Sequence, residues 1–194
     1  MLTIEKSGSA EQTITKSRFY ASAAHCETER EVGLFLRQLA AQHQNAHHLA
    51  YAFRIKTPDG IIPRFSDAGE PSGTAGKPII QMLEGRDLIQ VAVGVIRYYG
   101  GVNLGTGGLA RTYGGTAKMA LDAAIIIPFV EMRALSVSVH YNQVDALTRL
   151  VSQLKGKVLD KQFDQAVQVK VSLPTSEIAA FTHKYAQNIY FKQP

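Results

Sequence analysis

The sequence predicts an α+β protein of two domains, residues 1–130 and 131–194, and three observations carry that reading. A chain of 194 residues suits one large or two small domains. After Pro128 the strand and helix patterns follow the order β-α-β-β-α-β of a ferredoxin-like domain, whereas before it they form a mixed α/β unit. Glycine also divides the chain, with 12 of the 16 glycines lying between Gly69 and Gly115.

The elements follow from local pattern. Leu2–Ser7 and Gln12–Ile14 read as strands flanking a Gly8-Ser9-Ala10 turn, and Arg18–His25 continues extended. Thr28 opens an amphipathic helix with Val32, Phe35, Leu36 and Leu39 on one face. His48–Lys56 and Ile61–Phe65 bracket Thr57-Pro58-Asp59-Gly60, which predicts a hairpin. Gly69–Pro78 is a loop feeding a short helix through about Leu83. Ile89–Tyr99 has the apolar, β-branched look of a buried strand. A second loop, Gly100–Gly108, leads to a helix from about Leu109 to Ala124, ended by Pro128. In the second domain Leu135–Tyr141 alternates as a strand. Val144, Leu147, Val151 and Leu154 follow at helical spacing, with Asn142 as the expected N-cap. Val158–Phe163 and Val167–Leu173 form a hairpin. Thr175 or Ser176 caps a helix carrying Ile178, Phe181 and Tyr185, and Ile189–Lys192 closes the sheet.

Composition narrows the class. Hydrophobic residues make up 45% and charged residues 19%, which excludes a disordered or collagen-like chain. The single Cys26 excludes an internal disulfide, and no Cys/His spacing predicts a structural zinc site. Acidic and basic residues interrupt the N-terminus, and no apolar run approaches the ~20 residues that span a bilayer. A cytoplasmic protein without membrane partners is expected. A net charge of +5 admits an anionic partner such as RNA or a phosphorylated molecule.

Two segments carry the functional signal: Phe65–Pro78, FSDAGEPSGTAGKP, and Val95–Gly115, VIRYYGGVNLGTGGLARTYGG. Each sets glycines directly before a helix, where backbone N–H groups and the helix dipole favour an anion. Gly73, Thr74 and Gly76 of the first segment and Gly100, Gly101, Gly105, Gly107 and Gly108 of the second are candidate backbone ligands. Lys77, Arg97, Arg111 and Lys118 are the candidate cations, and Tyr98 or Tyr99 the stacking ring. Because strand neighbours face opposite ways, one tyrosine at most serves. Known fingerprints fit poorly. A Walker A loop needs Lys and Ser/Thr where Thr106 and Gly107 stand. The Rossmann pattern needs an acid ending a second strand, where Asp122 falls in a helix. The second loop is loosely similar to the phosphate loop of GHMP small-molecule kinases.

Taken together, GEPSGTAGKP and RYYGGVNLGTGGLARTYGG closely resemble the YigZ/IMPACT family, in order and spacing, and the flanking elements extend the likeness over essentially the whole chain. The resemblance implies a first domain similar to domain IV of elongation factor G and to a ribosomal-protein fold, left-handed βαβ included. It implies a ferredoxin-like second domain similar to domain V of that factor. Eukaryotic relatives act in translational control using an additional N-terminal domain. The function expected is therefore translation-associated regulation through RNA, the ribosome or a protein of the translation machinery, with no cofactor, no metal and no catalysis. The alternative is an enzyme on a small phosphorylated or acidic substrate, with Asp67 or Glu70 as base and His48 near them.

Overall fold

The computed structural model describes residues 1–185 and 189–190, and comprises two compact units, residues 1–129 and 130–194. In the first unit β2 (Gly8–Ile14), β3 (Ser17–His25), β4 (His48–Thr57), β5 (Gly60–Ser66) and β6 (Val91–Tyr98) make one sheet in the order β2-β3-β6-β4-β5. Every neighbouring pair is antiparallel.

Side-chain alternation along β6 builds two cores. Val91, Val93 and Val95 face α2 (Gly76–Gly85) and α3 (Gly105–Asp122), together with Phe19, Ala21, Ala23, Ala50 and Ala52. The alanines bring those helices close to the sheet. On the other face Ala92, Phe53 and Ile55 pack against Val32, Phe35 and Leu36 of α1 (Glu29–Gln42). Thr28 starts α1 as expected, its Oγ1 accepting from Glu31 N at 3.2 Å.

Three expectations in this unit are corrected. No turn forms at Gly8–Ala10: β1 (Leu2–Lys6) leaves β2 and pairs with β7 (Ile125–Pro128). Gly8 instead lets the end of α3 pass, since a Cβ there would lie 2.3 Å from the Ala120 carbonyl oxygen. Pro128 closes β7, not the helix, and α3 begins at Gly105, taking in glycines assigned to the loop. Helix-interior glycine costs about 1 kcal/mol each, which the burial of Leu109, Tyr113, Ala117 and Leu121 outweighs.

In the second unit β8 (Met132–Val139), β9 (Lys157–Phe163), β10 (Val167–Pro174) and β11 (Ile189–Tyr190) form an antiparallel sheet ordered β11-β8-β10-β9. From α4 (Val144–Gln153) and α5 (Ile178–Tyr185), Leu147, Val151, Phe181 and Tyr185 cover Val137, Val169 and Val171 on one face. This is the ferredoxin-like unit. Asn142 is not its N-cap: a 3₁₀ turn, Tyr141–Gln143, precedes α4, and Gln143 accepts from His140 N at 3.3 Å. Thr175 likewise sits in a 3₁₀ turn and donates to the Glu131 carbonyl. Residues 191–192 of the expected last strand lie outside the described residues. No helix among the described residues is long and apolar enough to cross a membrane.

The β2–β3 turn holds Thr15 and Lys16 at φ 46° and 68°, a left-handed pair that suits Asn-Gly and burdens a β-branched threonine. Replacing Thr15→Asn together with Lys16→Gly is expected to stabilise the chain by about 1–2 kcal/mol. A rise in the thermal midpoint by circular dichroism checks it.

Candidate functional site

Strand register sets Phe19, Arg97 and His48 in one row across β3, β6 and β4, beneath α2 and α3. Both β5 and β6 oppose β4, so α2 and α3, which follow them, start at the same end of the sheet. The two glycine-rich segments meet there through side chains. Arg97 Nη1 donates to Glu70 Oε1 at 2.7 Å, with the side chains 5% and 4% exposed. Tyr113 Oη donates to the same oxygen at 2.7 Å, and His48 Nε2 stands 3.9 Å from it. Burial first, then the hydrogen bond and charge of Glu70, hold the Tyr113 phenol well above its ordinary pKa, so it remains a donor. Ser17 Oγ accepts from Arg97 Nη2 at 3.4 Å and from Gly100 N at 3.2 Å.

The N-terminus of α2 does not face an external anion. Asp67 Oδ2 accepts from Gly73 N at 2.8 Å, and its Oδ1 from Ala75 N at 2.9 Å and Gly76 N at 2.8 Å. Burial opposes ionisation of Asp67, yet these N–H groups with that of Lys77 outweigh it and hold its carboxyl below the usual range. Thr74 Oγ1 donates to the Pro71 carbonyl at 2.6 Å. The chain's own carboxylate thus occupies the place assigned to a phosphate at Gly73, Thr74 and Gly76. Gly76 is required for another reason, because a Cβ would lie 2.6 Å from the Ser66 carbonyl oxygen. Lys77 is exposed.

The N-terminus of α3 differs. No side-chain cap serves it, and Gly105, Thr106 and Gly107 are exposed. Arg111, one turn on, is exposed and lines a groove of about 620 Å³ with Gln12, Ile14, Leu104, Gly108 and Met119. Lys118 is ion-paired to Asp122 at 2.7 Å. The start of α2 packs Pro78 against Gly114, nine residues into α3 and about 13 Å from its first turn, so the two N-termini do not converge on one anion. Tyr98 turns to the α1 side, its Oη 2.8 Å from His43 Nδ1 and Arg18 over its ring. Tyr99 turns the other way, 38% exposed, its ring 5.0 Å from the Arg97 guanidinium. Gly100 fits against Lys16, whose carbonyl oxygen would lie 2.1 Å from a Cβ, and Gly101 and Gly105 take φ +81° and +70°.

Arg97 is therefore a buried partner of Glu70, not a surface cation. Asp67 and Glu70 are each committed to donors inside the fold, an arrangement unlike that of a general base reaching substrate. His48 does approach Glu70, but its Nδ1 donates to the Ala68 carbonyl at 2.9 Å. Among the described residues no group of three His, Cys, Asp or Glu side chains is arranged to hold a metal. Cys26 is buried, and burial pushes its thiol up to about 11. Sequence reasoning missed Ser17 and Tyr113. Tyr113 was legible in principle, since the Leu109, Tyr113, Ala117 and Leu121 spacing buries its ring and a buried phenol needs an acceptor.

The family model for the Impact N-terminal domain matches residues 15–121, a stretch that holds Ser17, Asp67, Glu70, Arg97, Arg111 and Tyr113. The chain belongs to the IMPACT family. A second model, a domain of unknown function (DUF1949), matches residues 137–187. The IMPACT family member YigZ of Escherichia coli (strain K12) is 34% identical over 176 residues, 90% of this chain and 86% of that protein. A crystal structure described as a hypothetical protein matches at 30% identity and TM-score 0.74, covering 100% of this chain and 98% of its own. The two-domain translational regulator Yih1 matches 63% of this chain and 47% of its own at 25% identity, with TM-score 0.36.

Replacing Asp67→Ala is expected to cost about 2 kcal/mol at neutral pH. Its folded pKa lies below the unfolded one, so its stabilisation is present above the unfolded value near 4 and lost as pH falls through the folded one. Urea midpoints of the two proteins should therefore converge in acid. Replacing Arg97→Met strands a buried carboxylate and should cost about 3–5 kcal/mol, with Arg97→Met plus Glu70→Gln less damaging than the single change.

Proposed function

We propose that this protein acts in translational control by binding RNA, alone or within the ribosome, at the exposed start of α3. The translational setting comes from the family resemblance. The observation that carries the mode of binding is the contrast between two helix ends at one edge of the sheet. The α2 end is filled by Asp67, while the α3 end presents Gly105, Thr106 and Gly107 without a side-chain cap, with Arg111 exposed beside it. Backbone N–H groups there take phosphate oxygens, Arg111 and Lys77 neutralise charge, and Tyr99 stacks on a base. Arg97 acts from below, holding the loop that carries Tyr99 through Glu70 and Ser17. The enzyme alternative has less support, because both candidate bases are bonded inside the fold.

Affinity for a single-stranded RNA should fall with salt by a log–log slope of about −0.7 for each phosphate neutralised. Arg111→Ala should weaken binding and flatten that slope by roughly one unit. Tyr99→Ala should remove about 1–3 kcal/mol with little change in slope. Filter binding at several salt concentrations tests this, and no detectable binding at low salt rejects the reading.

A further inference from the structure

Outside the exposed start of α3, one buried group keeps an unsatisfied donor. Arg97 gives Nη1 to Glu70, but its Nε, buried, has no acceptor among the described residues. Nη2 reaches only Ser17 Oγ, at the long limit of 3.4 Å. Ser17 is itself fully buried, and its Oγ accepts from both Arg97 and Gly100 N, so its hydroxyl hydrogen is a further donor beside the guanidinium. Nε and Nη2 point along one edge of the planar guanidinium, the fork that matches two oxygens of one oxyanion. Such an edge, made of donors alone, suits a ligand that offers acceptors alone.

The surroundings say how that edge is reached. Two rings lie against the guanidinium, Phe19 at 5.5 Å and Tyr99 at 5.0 Å. Phe19 is fully buried, whereas Tyr99 is 38% exposed. The Tyr99 hydroxyl is held only by exposed Asn103, at 3.0 Å. Tyr99 is thus the outer cover of Arg97. We propose that Arg97 and Ser17 form a buried receptor for a phosphate group, opened when the Tyr99 ring turns outward. Phosphate is favoured over carboxylate by the uncapped start of α3 and by exposed Arg111, which place positive potential along the same loop and helix. Glu70 does not compete for the fork, since it holds the opposite end of the guanidinium through Nη1. This inference stands apart from the RNA reading: a free phosphorylated molecule and an RNA backbone share the chemistry.

The test follows the arginine Nε–H resonances of the ¹⁵N-labelled full chain, with that of Arg97 identified by its loss in Arg97→Lys. Inorganic phosphate is titrated in at constant ionic strength, followed in separate samples by succinate and by single-stranded RNA. The Arg97 resonance is expected to shift saturably with phosphate. Removing the cover with Tyr99→Ala should tighten phosphate binding by roughly three- to tenfold, because a closed cover lowers apparent affinity by the open fraction. Ser17→Ala should weaken it. A shift with phosphate but not RNA supports a small phosphorylated ligand at Arg97 and leaves the RNA reading to its own salt titration, while a shift with RNA supports the backbone as the source of the phosphate. No shift with either, an equal shift with succinate, or weaker binding in folded Tyr99→Ala overturns the proposal. The wild-type titration decides the matter even if Tyr99→Ala or Ser17→Ala fails to fold.

Discussion

A carboxylate and a guanidinium that are each almost wholly removed from water need a partner of opposite charge, and Glu70 and Arg97 supply one another with it at 2.7 Å. The pair joins parts of the first unit that are far apart in sequence. Glu70 brings the loop before α2, Arg97 belongs to the central strand β6, Tyr113 ties in α3, and Ser17 ties in the β2–β3 turn. Four separate parts of the chain meet at this one pair, so the loop geometry is over-determined. Gly76 and Gly100 serve the same assembly, because a Cβ at either would strike backbone. Those two glycines are thus accounted for by close approach of chain to chain, whereas Gly69, Gly73, Gly101 and Gly105 take positive φ.

The same economy governs the helix ends. A helix N-terminus attracts negative charge, and the nearest carboxylate takes it when one is available. Asp67 does so at α2 through three backbone N–H groups at 2.8–2.9 Å. No acid occupies the first turn of α3. Cations divide similarly. Arg86 and Lys118 are offset by Asp122, and Arg97 by Glu70, while Arg111 and Lys77 stay exposed. A net charge of +5 therefore says less about partners than the few cations left facing solvent at one end of one sheet.

Hydrophobic period and local caps carried the reading where contacts are close in sequence. The hairpin of β4 and β5, the Thr28 cap of α1 and the β-α-β-β-α-β order of the second unit are all written in short stretches. Reading failed where partners are distant or where both faces are buried. Pairing of β1 with β7 joins residues more than a hundred positions apart, and the glycine that read as a turn, Gly8, is there to let α3 pass. Along β6 both faces are apolar, so alternation gave no sign that Arg97 points under two helices.

By itself, then, the sequence determined the α+β class, the ferredoxin-like second unit and the family, and it drew attention to the two glycine-rich segments. Those follow from period, composition and motif, which are local properties of the chain. Only the tertiary structure decided which glycines approach backbone, which cation is buried and which helix end is already filled. An arginine, a glycine or an aspartate has several possible partners in sequence. Register, burial and the requirement that every buried charge find its complement select one of them.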